Sequence, residues 1–211
     1  MIHYEQLWLF FALVFGIIVL PGLDMAFVMG STLAGGRSRG FAAVAGIIAG
    51  GVCHVLMTAL GISMLIRLIP GMFNALLLAG ALYIAWIGIS LMRSESSFGL
   101  RPDIQPRSGA ATFRQGMLTC LLNPKAYLFM LAIFPQFLRP EYGLIWLQAL
   151  VMWLIIAINQ LCIYGSVALM ADRARHWLQR KPASGMMATR CVGGLLIAAA
   201  MFTGFEGWHR I

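Results

Sequence analysis

Six long apolar stretches fill most of this 211-residue chain, and two of them are interrupted by a proline beside a charged residue. The first interruption reads Leu20-Pro21-Gly22-Leu23-Asp24, inside an apolar run from about Leu7 to Gly30. The second reads Asn123-Pro124-Lys125-Ala126, inside a run from about Gly116 to Leu138. Proline lacks the N–H that would close the helical ladder, so it opens the helix and frees backbone groups to face a cavity. A charge in lipid costs roughly 2.5–3.5 kcal/mol on insertion scales and is usually kept for function. Interrupted segments placed comparably in two halves point to the binding site of a transporter.

The six stretches predict transmembrane helices near residues 7–30, 41–66, 72–92, 116–138, 144–171 and 191–208, each about the length a bilayer core asks for. Composition agrees. Hydrophobic residues make up 61% of the chain and charged ones 10%, against about 25% charged in a soluble domain. No room is left for a soluble domain. The first stretch does not read as a removable signal peptide, because only Glu5 is charged ahead of it and no clear cleavage site follows.

The formal charge of +8 follows loop placement rather than a nucleic-acid surface. The first, third and fifth loops of a six-span chain carry eleven basic residues, including Arg37, Arg39, Arg101, Arg173, Arg175 and Lys181. The other side carries three: Arg67, Arg139 and Arg210. The positive-inside rule puts the odd-numbered loops in the cytoplasm and both termini outside. In the fifth loop, Asp172 to Lys181, basic residues mix with Trp177 and Leu178, which fits a short interfacial helix on anionic lipid or an ordinary loop with an aromatic anchor.

The polar, breaker-rich stretch from Arg93 to Arg114 reads as a linker. It divides the single membrane domain into a three-helix half at 1–92, a linker at 93–115 and a second three-helix half at 116–211. Three spans per half would turn the second half upside down relative to the first. The expected fold is therefore all-α, six spans as two inverted halves, with broken first and fourth helices.

Local chemistry sharpens the two breaks. Asn is a preferred N-cap, and Pro is favoured at the first helical position, so Asn123-Pro124 can start a half-helix in mid-membrane with its positive dipole end turned inward. Pro21-Gly22 does the same for a half-helix whose first turn holds Asp24. Such half-helix starts are natural seats for a carboxylate. Lys125 is the odd member, since a cation in a first turn opposes the dipole. It either binds a substrate carboxylate or pairs with Asp24; otherwise it only snorkels to the membrane face. Asp24 holds a substrate amine, carries a coupling proton or pairs with Lys125; otherwise it only stabilises its own half-helix. The expectation is a carboxylate on Lys125 and the Asn123-Pro124 start, an amine toward Asp24, and proton coupling through Asp24, with His54 as the second candidate.

His54, inside the second span, reads either as a hydrogen-bonded packing residue or as a proton relay. Gly46 and Gly50 form a GxxxG pair that permits close helix approach, within the chain or in a homodimer. Asn159 and Gln160 read as interhelical hydrogen-bonding groups or as the lining of a hydrophilic path. Cys53, Cys120, Cys162 and Cys191 stand singly, without a CxxC or Cys/His cluster, and read as small packing residues. One mid-membrane carboxylate and one histidine are too few for a metal cage, and no phosphate-binding GxxxxGK[ST] loop, HExxH or GxSxG motif is present. No catalytic residue, metal or cofactor is expected.

Over nearly its full length the chain resembles the LysE/RhtB family of bacterial amino-acid and homoserine-lactone exporters. The resemblance rests on Pro21-Gly22, on Gly46 and Gly50, and on Gly80-Ala81-Leu82-Tyr83-Ile84-Ala85-Trp86-Ile87-Gly88, which is similar to the family's GxxYLxWxG stretch. It continues with Asn123-Pro124-Lys125-Ala126 and Phe134-Pro135-Gln136-Phe137. In one departure, Leu23 stands where the family has a second proline, while Asp24 remains; the break is expected to rest on Pro21-Gly22. The resemblance implies an inner-membrane exporter of neutral or basic amino acids or their derivatives, driven by the proton motive force. Its partners would then be a small-molecule substrate, protons and membrane lipid. A passive channel, which would conduct without proton coupling, is the competing class.

Overall fold

The computed structural model describes residues 4–60, 72–93 and 108–179, with scattered positions between 187 and 205. Among these residues every regular element is helical. The order is α1 (Tyr4–Val19), α2 (Leu23–Gly35), α3 (Arg37–Ala59), α4 (Met72–Met92), α5 (Gly109–Leu121), α6 (Pro124–Ala132) and α7 (Ile145–Gln179). Two 3-10 turns, Phe134–Phe137 and Pro140–Tyr142, lead from α6 into α7.

The expected breaks are present. α1 stops at Val19 because Pro21 cannot continue the ladder and restricts Leu20 before it. α2 restarts after an extended Gly22 at 54° to α1. α5 and α6 are bent by 56° at Leu122-Asn123. There the Asn123 side chain accepts from the Lys125 backbone N–H at 3.0 Å, with Pro124 in the first helical position. The N-cap read from the sequence is realised atom for atom.

Length and apolarity qualify Arg37–Thr58 and Ile145–Trp177 as membrane-crossing helices, and each bent pair qualifies as one broken span. α4 adds a further apolar helix of 21 residues. The sixth expected span, 191–208, lies largely outside the described residues, as do Lys181 and most of the linker. At one described position in that region, Gly193 lies against Gly88 of α4. Each glycine places its carbonyl 2.8 Å from where the other's Cβ would stand.

Several boundaries differ from the sequence expectation. The chain joins α2 to α3 through Gly36 alone, at φ +75°, a left-handed conformation that favours glycine. Arg37 and Arg39 therefore open α3 rather than occupy a loop. α5 begins at Gly109, capped by Ser108, whose hydroxyl accepts from the Ala111 N–H at 3.2 Å, so the last residues assigned to the linker are already helical. Asp172 to Gln179 is neither a separate interfacial helix nor a loop but the end of α7, since nothing there breaks a helix. At about 1.5 Å per residue, the 35 residues of α7 reach ~52 Å, more than the ~30 Å of a hydrocarbon core, so its charged turns project beyond it.

The basic stretches gather at one end of the bundle. The Arg37 N–H donates to Asp172 Oδ1 at 3.0 Å, and the Arg39 guanidinium lies over Gly109. α2 ends and α5 begins at that end, so the two broken spans run in opposite directions, as do α3 and α7. α3 is the central helix, packed mainly on α5 and also on α7 and α2. Its closeness to α5 is why Gly46 and Gly50 are glycines. A Cβ on Gly46 would collide with the Phe113 carbonyl, and one on Gly50 would come within 2.7 Å of Cys120 Cβ. From the other side, Gly116 meets the Ala43 carbonyl. The GxxxG contact is internal to the chain. Phe10, Val14, Val28, Ile47, Phe134 and Tyr164 fill the core, while Trp8, Leu13, Leu82, Trp86, Leu154 and Leu161 point outward, the inversion expected where lipid is the solvent.

Candidate functional site

A helix carbonyl normally accepts from the N–H four residues on, so each proline leaves one carbonyl without its partner. Pro21 orphans Ile17, and the turn that follows leaves Leu20 in the same state. Both carbonyls are taken by Lys125, whose Nζ donates to Ile17 O at 3.0 Å and to Leu20 O at 3.0 Å. Pro124 likewise orphans Cys120. That carbonyl accepts from the Asn123 backbone N–H at 3.1 Å and from His54 Nε2 at 3.1 Å. Because a carbonyl can only accept, the His54 proton sits on Nε2. The ring is fixed further by an edge-on contact with Tyr127, centroids 4.7 Å apart.

This geometry explains the lysine that local helix physics could not. Lys125 opposes the dipole of its own helix α6 but stands at the carbonyl end of α1, where a cation is favoured. Gly22 makes the approach possible: a Cβ there would sit 3.1 Å from Lys125 Nζ and 3.6 Å from its Cε. The sequence reading had the residue and missed the partner. The signal was present, because Pro21 marks the carbonyl four residues before it.

Between the breaks lies a cavity that opens at one mouth, its space including that mouth being about 480 Å³. Its walls are Val14, Ile17 and Ile18 of α1, Phe129 and Met130 of α6, and Ile156 of α7. Its polar lining is Asp24, His54, Asn123, Lys125, Gln160 and Tyr164, with Gly51 and the Cys120–Ala126 break between them. The expected site residues Asp24, His54, Asn123 and Lys125 thus converge, and Pro21, Gly22 and Pro124 form the breaks that bring them together. Gln160 joins them, but Asn159 does not: its Nδ2 donates to Ile155 O of its own helix at 2.8 Å. Tyr164 and Gly51 were not anticipated, since neither carries a charge or a break to mark it.

Three side-chain atoms on this lining, Asp24 Oδ1, Asn123 Nδ2 and Gln160 Oε1, are buried without a hydrogen bond of good geometry, and Asn123 stands beside the Asp24 carboxyl. Their residues are 3%, 1% and 7% exposed. The orientation of Asn123 follows from its cap, because Oδ1 is spent on the Lys125 N–H and Nδ2 is the end left over. An unsatisfied buried polar group costs about 1–3 kcal/mol, which a polar ligand or water would return. Asp24 and Lys125 share the cavity without forming an ion pair; among the described residues Arg139 and Glu141 form one, and His176 lies 3.9 Å from the Asp172 carboxylate.

Two oppositely directed broken helices that enclose a polar cavity are an arrangement from which transporters build their binding sites. The chain belongs to the family of LysE type translocators, whose model matches residues 15–207. It is similar to an uncharacterized membrane protein of Pseudomonas aeruginosa, 28% identical with 90% of each chain covered. It also resembles the homoserine/homoserine lactone efflux protein of Salmonella typhimurium, 26% identical over 75% of this chain and 77% of the relative. The leucine efflux protein of Klebsiella pneumoniae is 29% identical over 58% of each. No solved structure matches the chain.

Proposed function

We propose that this protein is a secondary transporter that exports an amino acid or amino-acid derivative across the bacterial inner membrane, driven by the proton motive force. The observation that carries the reading is the set of buried, unpartnered polar atoms on Asp24, Asn123 and Gln160 in an apolar-walled cavity where two broken helices meet. In this reading the spans form two inverted three-helix halves, with the odd-numbered loops in the cytoplasm. Asp24 and Asn123 touch the substrate. Pro21, Gly22, Pro124 and Lys125 hold the breaks in the shape that the substrate meets, and Asp24 carries the coupling proton. Rocking of one half against the other would expose the cavity to each side in turn. The efflux names of two relatives support the direction and the substrate class.

An export screen tests the proposal. Cells lacking the protein and cells overproducing it are loaded with dipeptides, and the amino acids that appear outside are measured. Faster appearance of one or a few amino acids in the overproducing cells, abolished by an uncoupler, is the expected result. Unchanged export across the panel would overturn it.

A further inference from the structure

The arginines gathered at one end of the bundle take no part in the cavity, yet two of the helices that carry them form an amphipathic seam there. We propose that the seam between α3 and α7 at that end holds an anionic phospholipid, its phosphate on Arg37, Arg173 and Arg175 and an acyl chain on Phe41 and Leu169. The inference stands apart from what the cavity carries.

The rim of the seam has a surplus of cations. Arg37 and Arg173 are exposed and Arg175 is half-buried, and none of the three is in an ion pair among the described residues. Asp172, the carboxylate beside them, is committed: its Oδ1 accepts from the Arg37 backbone N–H at 3.0 Å and caps the first turn of α3 from α7. Arg175 Nη1 lies 3.3 Å from where a Cβ on Gly36 would stand, so its guanidinium rests on the α2–α3 turn next to Arg37. The Nε of Arg175 is buried without a hydrogen-bond partner, which leaves the charge of this guanidinium without an offset among the described residues. Arginine is the side chain best suited to phosphate, whose oxygens accept paired, parallel hydrogen bonds from its planar fork.

Apolar surface lies one turn below each exposed arginine. Residues four apart stand on one face of a helix, about 6 Å apart along its axis. Phe41 therefore follows Arg37 down α3, Leu169 lies below Arg173 on α7, and both apolar side chains are exposed. Phe41 also rests on α7, with Cε1 3.5 Å from where a Cβ on Gly165 would stand, which places it in the seam. Two helices thus repeat one pattern, a cation at the rim and an exposed apolar side chain beneath it. A free phosphate would use the rim alone, whereas a phospholipid uses both parts. The depth agrees. α7 carries the seam across the edge of the hydrocarbon core, and Trp177, exposed one turn beyond Arg173, stands where interfacial aromatic residues collect. Basic pockets between helices at that level suit anionic headgroups.

The test uses the full-length protein in detergent micelles, with bound molecules counted by native mass spectrometry. The probes are palmitoyl-oleoyl phosphatidylglycerol, the phosphatidylcholine with the same chains, and inorganic phosphate. Phosphatidylglycerol should bind at least about tenfold more tightly than phosphatidylcholine, and millimolar inorganic phosphate should not displace it. Arg37→Gln and Arg173→Gln should each weaken phosphatidylglycerol binding roughly fivefold, and together about tenfold or more, with phosphatidylcholine unaffected. Both side chains are exposed, and Arg37→Gln keeps the backbone N–H that Asp172 holds, so the fold has no reason to change. Arg139→Gln, before the other end of α7, should leave binding as it was. Equal binding of the two lipids, or an equal loss in Arg139→Gln, overturns the proposal. Displacement by inorganic phosphate also overturns it, because the site would then be one for a free anion. Location has its own readout in the unaltered protein: phosphatidylglycerol with a diazirine on one acyl chain should cross-link to peptides containing Phe41 or Leu169. Cross-links confined to other helices overturn the proposal whatever the variants do.

Discussion

Lys125 Nζ holds the Ile17 carbonyl at 3.0 Å, the carbonyl that Pro21, four residues on, leaves without an amide partner. A proline in one half of the chain and a lysine in the other therefore answer one another across the bundle. The second break repeats the arrangement with different chemistry: Pro124 frees Cys120 O, and His54 Nε2 takes it at 3.1 Å. At the first break a side chain from a distant helix meets the cost created by local sequence, and at the second His54 shares the carbonyl with the Asn123 N–H.

The pairing of Pro21 with Lys125 predicts a non-additive double-mutant cycle. Lys125→Met frees the part-buried Ile17 carbonyl and the exposed Leu20 carbonyl, and should destabilise the protein by about 1–3 kcal/mol, mostly through Ile17. Pro21→Ala returns an N–H to Ile17, so in that background Lys125→Met should cost less by about 1 kcal/mol or more. Thermal unfolding in detergent of the four proteins measures the coupling. Strictly additive effects would mean that Lys125 does not compensate for Pro21.

Gly22→Ala tests the same contact sterically. The new Cβ would lie 3.1 Å from Lys125 Nζ, which must give way by a few tenths of an ångström and so loosen its hold on the two carbonyls. Transport should fall at least tenfold while the amount of protein in the membrane changes little. Gly16→Ala serves as the comparison, because nothing lies within 4 Å of a Cβ there. Equal effects at the two glycines would refute the close-approach argument.

The α3–α5 seam should be intolerant of bulk. A Cβ on Gly46 meets the Phe113 carbonyl, which is backbone and cannot rotate away. Gly46→Val should therefore cost about 1–3 kcal/mol or more, the range of overpacking in a tight interior. Gly51→Ala, whose nearest neighbours lie at 3.7 Å or beyond, should cost far less. Unfolding midpoints of the two variants, compared at equal detergent, check the difference.

These contacts show how far the sequence could be read. The N-cap of Asn123 and the helix start at Pro124 depend on residues one or two positions apart, and both were legible. The targets of Lys125 and His54 lie 108 and 66 positions away, at Ile17 and Cys120, so no local rule names them. The prolines did name the orphaned carbonyls, and asking what satisfies each would have brought Ile17 and Cys120 into the site. Gly46 and Gly50 announced a close helix contact without saying with which helix. The run from Asp172 to Gln179 was charged enough to look like a loop, yet it contains no breaker and simply continues α7 past the bilayer core. Tyr164 and the apolar walls carried no mark at all, because an inward-facing and a lipid-facing apolar residue look alike where the solvent is itself apolar.

Orientation in the membrane gives a prediction independent of the site. The ends of α2 and α7 and the start of α5 lie together, and all three are flanked by arginine, so the positive-inside rule places that end in the cytoplasm. Cysteines introduced singly at positions 37 and 101 of a cysteine-free protein should resist a membrane-impermeant reagent in cells with a permeabilised outer membrane. A cysteine at position 3 should react. Labelling at 101 with none at 3 would reverse the orientation.

Asp24 carries the last prediction. Its carboxylate is buried at the first turn of α2, has one oxygen unpartnered, and stands beside the break that a moving half would bend. A coupling group must lose and gain a proton as access alternates; Asn keeps the shape and removes that ability. Asp24→Asn should therefore abolish export against a gradient, by at least a hundredfold, while insertion and stability are retained. Exchange of labelled substrate down its own gradient should survive in part, because binding through Asn123 and the apolar walls does not need the proton. The two modes are separated in proteoliposomes, by imposing a pH gradient in one series and none in the other. Uphill transport by Asp24→Asn at the normal rate would move the coupling role to His54. Loss of exchange together with uphill transport would make Asp24 a substrate contact without a coupling role.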